Sequence, residues 1–247
     1  MAEDGLLLAA VIFALAVLYS SVGHAGASGY LAAMALFGIA PEMMRPAAFA
    51  LNVLVASLAT WRYARAGRSD WRLLIVLAAA SMPAAFVGGW LDVPPGLYRP
   101  LVGALLLLAA LRMALGAGRA EHADHGARRP ALRLALVSGA GLGFLGGITG
   151  TGGGIFLAPL LLILGWAETR TAAGVTAAFI LVNSTAALTG IALSGPVFPP
   201  ALPLWAAAAL AGASAGTWLG IRALPVPGLR YVLALVLVLA GGKMLAG

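Results

Sequence analysis

Long apolar runs alternate with short polar breaks along this chain, and the run lengths define its elements. Apolar segments cover residues 5–22, 27–37, 45–61, 71–91 and 97–115, then 131–148, 155–164, 171–193, 202–221 and 229–245. Segments near twenty residues predict helices able to span a hydrocarbon core of about 30 Å, since a helix rises about 1.5 Å per residue. The runs at 27–37 and 155–164 are too short to do so. Between the two sets lies 116–130 (GAGRAEHADHGARRP), the one sizeable hydrophilic stretch. The expected organisation is a first membrane repeat over 1–115, a cytoplasmic linker over 116–130 and a second membrane repeat over 131–247.

The letters repeat as well as the lengths. Gly88-Gly-Trp90-Leu91 matches Gly216-Thr-Trp218-Leu219, Arg112-Met113 matches Lys243-Met244, and Phe49-Ala-Leu-Asn52 resembles Phe179-Ile-Leu-Val-Asn183 with one residue inserted. In the second half, the stretch from Gly139 to Pro159 is apolar but broken by Gly150-Thr151-Gly152-Gly153-Gly154. Each glycine costs a helix about 1 kcal/mol relative to alanine, so this run predicts a helix, a break and a short second helix. Unwound backbone at membrane depth is tolerated only where protein or a wet cavity surrounds it, which makes the break a candidate site. Gly139, Gly143 and Gly147, spaced four apart, read instead as small residues for close helix packing. The first-half counterpart of the break is Ser20-Ser-Val-Gly23-His24-Ala-Gly26-Ala-Ser28-Gly29, again between a long and a short apolar run.

Composition narrows the class. Of 247 residues, 62% are hydrophobic and 9% charged, with a mean hydropathy of +1.00, which excludes an ordinary soluble domain and fits a polytopic membrane protein. The acidic start Met1-Ala-Glu-Asp4 does not resemble a cleavable signal peptide. Cysteine is absent, which excludes disulfides, thiolate catalysis and cysteine metal sites. The net charge of +7 reports topology rather than nucleic acid, because the basic residues sit between apolar runs. Arg62, Arg65, Arg68 and Arg72 mark one loop as cytoplasmic, and Arg112, Arg119, Arg128, Arg129 and Arg133 mark the central linker. The second-half equivalent of the first loop, residues 194–201, carries no charge and belongs outside.

Equivalent loops on opposite faces require two inverted repeats. The expected fold is therefore all-α and polytopic, each repeat a broken or re-entrant helical hairpin followed by three transmembrane helices, with both chain ends outside. At eighteen residues, the runs 5–22 and 131–148 could nearly cross, giving ten spans in place of six spans and two hairpins. Either count keeps the inversion.

The motif Gly-Gly-Ile-Thr-Gly-Thr-Gly-Gly-Gly-Ile-Phe-Leu-Ala-Pro from Gly146 to Pro159, its weaker first-half echo, the basic loop ending Gly67-Arg-Ser-Asp-Trp71 and the duplicated frame resemble the TauE/SafE sulfite exporter family over nearly the whole chain. The first half departs from the family pattern, with Gly26-Ala-Ser28-Gly29 where consecutive glycines are expected and no proline from Tyr30 to Phe37. The resemblance implies a transporter of small sulfur-containing oxyanions or organosulfonates, such as sulfite, in a cell membrane of bacterial inner-membrane type. It implies no cofactor. The partners expected are the anion, protons as coupling ion, the lipid bilayer and, as an open option, a second copy of the chain.

Inverted transporters hold substrate near the midplane, where broken helices from both halves meet. Helix starts present free N–H groups and the positive end of the helix dipole, which suit an anion. The candidate ligands are the amides of Gly150, Gly152, Gly153 and Gly154 with the hydroxyls of Thr149 and Thr151, facing Gly26, Ala27, Ser28 and Gly29. Asn52 and Asn183, mid-run at related positions, could bond the substrate or serve as interhelical glue. His24 reads as the one ionisable residue deep in the membrane, a hydrogen-bonding group or a proton relay, since histidine ordinarily titrates near pH 6.5. Glu42 and Glu168 read as surface ion pairs with Arg45 and Arg170. His122 and His125, beside Glu121 and Asp124, read as solvated linker rather than a metal site.

Other functions fit less well. An intramembrane enzyme lacks HExxH, paired aspartates or a serine–histidine pair beyond Ser20, Ser21, Ser28 and His24. A scaffold subunit would need neither break, and no GxxxxGK[ST] motif supports an ATP-driven pump. A transporter or channel for another small anion, such as a carboxylate, remains the alternative.

Overall fold

The computed structural model describes residues 2–116, 129–222 and 227–246; most of the hydrophilic linker, with His122 and His125, lies outside the described residues. Among the described residues the secondary structure consists of ten helices. They are α1 (Ala2–Ser21), α2 (Ala27–Leu36), α3 (Pro41–Arg65), α4 (Trp71–Trp90) and α5 (Pro95–Gly116), then α6 (Leu132–Thr149), α7 (Gly154–Ile163), α8 (Thr169–Ala192), α9 (Leu202–Arg222) and α10 (Pro227–Ala246). The chain is an all-α polytopic membrane protein. Among the described residues α3, α4, α6, α8 and α9 are long and apolar enough to cross a bilayer, whereas α2 and α7 have ten residues each. Large apolar side chains face outward along these helices, Val137 at 71% exposure among them, as a lipid-facing surface requires.

The duplication is written into the backbone. Glycines with positive φ pair off between the halves at a spacing constant to within one residue: Gly23 with Gly150, Gly26 with Gly153, Gly38 with Gly165 and Gly67 with Gly195. The first pair ends α1 or α6, and the second is the N-cap of α2 or α7. Only glycine enters that left-handed region without strain, so each half turns at the same places for the same reason. Among the described residues Gly152 is the one unmatched member.

Glycine stripes then knit the halves together. An added Cβ at Gly139, Gly143 or Gly147 of α6 would land on the carbonyls of Leu77, Ser81 and Ala85 of α4, one step of four residues at a time. Their packing role is thus as expected. The same device recurs where Gly212, Gly216 and Gly220 of α9 press on the carbonyls of Phe13, Val17 and Ser21 of α1. Both registers rise together, so α6 runs parallel to α4 and α9 parallel to α1. The α1 and α3 helices end side by side, where the Tyr63 hydroxyl donates to the Ser20 and Ser21 carbonyls at 3.4 Å. Along α8, Gly174 lies on Arg68 in the loop just before α4 and Gly190 lies on Phe86 near the end of α4, so those two helices are parallel too. In contrast α5 and α10 cross in opposite directions, Gly103 meeting Leu245 while Gly241 meets Leu107. Each half therefore buries its first helix against the fourth helix of the other half.

Candidate functional site

The second break is a tightly organised loop between α6 and α7. The α6 helix ends at Gly150, whose amide bonds the Gly146 carbonyl at 3.1 Å, and the Gly152 amide reaches the same oxygen at 3.3 Å. Gly153 then caps α7 in the left-handed conformation with no side-chain hydrogen bond. The first amides of a helix have no partner within it. Here they emerge among buried residues, since Gly152, Gly153, Gly154 and Ile155 are all shielded.

Polar side chains gather on this loop from three other helices. Asn52 of α3 donates from Nδ2 to the Thr151 carbonyl at 3.4 Å and to Ser184 Oγ of α8 at 3.2 Å. A Cβ on Gly152 would sit 2.6 Å from Ser184 Oγ and 3.2 Å from Asn52 Nδ2, so glycine there keeps open the space that both side chains face. The Thr149 and Thr151 hydroxyls are 3.0 Å apart, Thr149 Oγ1 also bonds the Leu145 carbonyl, and Tyr98 of α5 donates to the Thr149 carbonyl at 3.2 Å. Asn52 Oδ1, both amide atoms of Asn183 and the Thr176 hydroxyl are buried without partners. Thr176, Ile180, Asn183 and Ser184 share one face of α8 by helical spacing, and Ile180 and Thr176 abut Gly154.

The sequence did not single out Tyr98 or Ser184, and it read Arg45 only as a surface partner of Glu42. Arg45 is only 7% exposed, and its guanidinium donates to the carbonyls of Gly147 at 3.2 Å, Leu91 at 3.0 Å, Gly89 at 2.8 Å and Gly88. The expected surface pairing of Arg45 with Glu42 is thus replaced by a buried clamp. The reason is geometric: the α4 C-terminus leaves carbonyls without partners, and a planar guanidinium can serve several at once. His24 is accordingly not the sole ionisable group held inside. Ser184 was legible through its spacing of four from Ile180, and Arg45 as a cation within an apolar run.

The first break keeps the backbone and changes the contents. His24 is half-buried, with Nδ1 3.2 Å from the Val22 carbonyl and its ring edge-on to Tyr19 at 6.4 Å between centroids. Ser28 donates to the Tyr19 hydroxyl at 3.0 Å, and a Cβ on Gly29 would meet the Tyr19 ring at 2.8 Å. Gly26 caps α2 without a side-chain bond, as Gly153 caps α7, and Ala27 opens the helix fully buried. Ser28 and Gly29 thus turn toward Tyr19, while Leu31, farther along α2, comes within 3.6 Å of where a Gly150 Cβ would stand. The matched glycines also place Asn52 and Asn183 about one helical turn apart rather than at equivalent positions, and Asn52 bonds Ser184.

Comparison with known proteins decides the family. The family model described as "Sulfite exporter TauE/SafE" matches residues 8–244. The chain belongs to the TauE/SafE family. A relative from Sinorhizobium fredii (strain NBRC 101917 / NGR234), named "Probable membrane transporter protein y4hK", is 39% identical over 246 residues, covering 99% of this chain and 100% of the relative. No solved structure matches. This TauE/SafE protein is a multi-pass membrane transporter and not an enzyme.

Proposed function

We propose that the chain is a secondary transporter, working as an exporter, of a small sulfur-containing anion such as sulfite or an organosulfonate, with its substrate held at the two glycine-rich breaks. The carrying observation is that α2 and α7 both begin inside the protein, at left-handed glycines, with no side chain capping their first amides. A buried helix start without partners is costly, and an anion satisfies its donors while meeting the positive end of the dipole. At the second break Thr149, Gly150, Thr151, Gly152, Gly153 and Gly154 supply this cradle, flanked by Asn52 and Asn183. At the first, Gly26, Ala27, Ser28 and Gly29 supply its counterpart, and His24, half-buried beside them, carries the coupling proton. The helix directions support an inverted repeat: α1, α3 and α9 share one direction, and α4, α6 and α8 share the other. A carboxylate would be bound by the same donors, so the substrate class needs a direct test.

One experiment with two arms addresses this reading. Purified protein in liposomes should move sulfite or a short organosulfonate faster than acetate, and an imposed pH gradient should accelerate it; flux for carboxylates alone would overturn the substrate assignment. In the same vesicles single cysteines at Ala66 and Ser194, both exposed, should react with an impermeant thiol reagent from opposite faces. Reaction from one face would overturn the inversion.

A further inference from the structure

The two loops that the repeat makes equivalent, 66–70 between α3 and α4 and 193–201 between α8 and α9, are in opposite states. The first is seated: a Cβ on Gly174 of α8 would collide with the Arg68 carbonyl and stand 3.0 Å from Ser69 Oγ, an atom buried with no partner. Beside it the first break is pressed on the same helix, a Cβ on Gly23 falling 2.5 Å from Ala173. The second loop stands off. Ser194, Gly195, Pro196 and Val197 line a cavity of about 210 Å³, whose opposite wall is Pro41, Glu42 and Arg45 of α3. At the matching glycine of the second break, Gly150, the nearest atoms to an added Cβ are those of Arg45 and Leu31 at 3.6 Å, so this turn is not pressed on its neighbour as Gly23 is. Even the equivalent side chains differ in what they do: Tyr63 reaches across to the end of α1, whereas Ile191 lines the cavity.

We propose that this cavity is the open mouth of the transport path, that loops 66–70 and 193–201 are its two gates, and that Gly174 is the seat on which the first gate shuts. The proposal rests on the transporter reading but not on the identity of the anion. Two buried residues, Arg45 and Tyr98, line the cavity, and Tyr98 bonds the Thr149 carbonyl at the head of the second break. Its wall also carries Glu42 and Asp92, which would repel an anion at rest, so the cavity is a passage and not the holding site. Only glycine lets the Arg68 backbone reach α8, so a side chain at 174 acts on the gate directly.

The test uses the cysteine-free full chain in liposomes, with Ser69→Cys and Val197→Cys made singly. Modification by a small methanethiosulfonate reagent without any substrate should be roughly tenfold faster at Val197→Cys than at Ser69→Cys, as expected where the shut form of one gate predominates. Adding Gly174→Val should raise the Ser69→Cys rate roughly tenfold, because the seated population is lost. Gly141→Val, at a position with open space, should leave it unchanged. If Gly174→Val does not yield monodisperse protein, Gly174→Ala carries the same clash with less bulk and should move the rate in the same direction. Equal rates at the two cysteines, or a Ser69→Cys rate indifferent to residue 174, would show a fixed asymmetry of packing and overturn the gate. Sulfite flux does not enter this readout, so the gate and the substrate assignment fail separately.

Discussion

The two breaks share a backbone and divide the chemistry. Both turn at a pair of left-handed glycines and both start a ten-residue helix in the interior. The second adds Gly152 with Asn52 and Ser184 beside it, and Arg45 near Gly150, whereas the first has Tyr30 beside Gly26, Tyr19 beside Gly29 and the half-buried His24. Duplication therefore preserved what the chain path needs and released the side chains to diverge. On the proposed function, an anion held between such unequal halves would be gripped mainly by the second, and His24 would confine protonation to the first.

The largest expected effect sharpens that inequality. At Gly153 an alanine would need a positive φ and would bring its Cβ 2.5 Å from the Leu142 carbonyl, a backbone atom that cannot swing away. At Gly26 the φ is as unfavourable, but the nearest obstacle is the Tyr30 ring at 2.7 Å, a side chain with some freedom. A variant that escapes the left-handed strain, about 1–2 kcal/mol for such a residue, by leaving the anion-binding conformation must take it up again on binding, which corresponds to about tenfold in a binding constant. Gly153→Ala should weaken sulfite binding by tenfold or more in calorimetry, and Gly26→Ala by less. Equal losses would make the halves equivalent; no loss at Gly153 would remove the amide cradle altogether.

A smaller effect is expected from the two buried asparagines. Asn52 has partners on Thr151 and Ser184, so Asn52→Leu should lower thermal stability and flux together. Asn183 is fully buried with neither amide atom paired. An unsatisfied buried polar group costs about 1–3 kcal/mol, so Asn183→Leu should raise the melting temperature if packing allows. If the amide is retained for the substrate, the same variant should lose sulfite flux. A variant that is both less stable and fully active would exclude a binding role.

Much of this architecture is legible in the sequence, and the exceptions have a common cause. The breaks, the duplicated frame and the packing role of Gly139, Gly143 and Gly147 follow from local rules of glycine conformation and spacing. Arg45 was misread because its partners, the carbonyls of Gly88, Gly89, Leu91 and Gly147, are backbone atoms remote in the chain, and no composition reveals them. The offset of Asn52 from Asn183 was hidden by their similar flanking letters, and only the conformations of the glycines set the register. The stripe Gly212, Gly216 and Gly220 was readable by the same spacing as its counterpart in α6.

The smallest effect, and the one that separates the breaks by chemistry rather than strength, concerns His24. Among residues at the two turns it is the one whose ordinary pKa, near 6.5, lies in the working range of a proton gradient, and its equivalent place in the second half holds Thr151. Its imidazole lies beside the Val22 carbonyl and the Tyr19 ring, half-buried at the start of α2. A protonated imidazole there would add positive charge near the first helix start and strengthen anion binding at low pH; deprotonation as pH rises would release it. His24→Gln keeps a polar side chain of similar length and removes the titration. Sulfite flux through wild type should therefore vary over about pH 5–8, the interval in which histidine changes charge, after allowance for the titration of sulfite itself, and the variant should flatten that dependence while folding normally. Organosulfonates stay ionised throughout this interval, so flux of such a substrate isolates the protein's own titration. A pH profile unchanged by His24→Gln with an organosulfonate would assign His24 to packing against Tyr19 and move the coupling proton elsewhere.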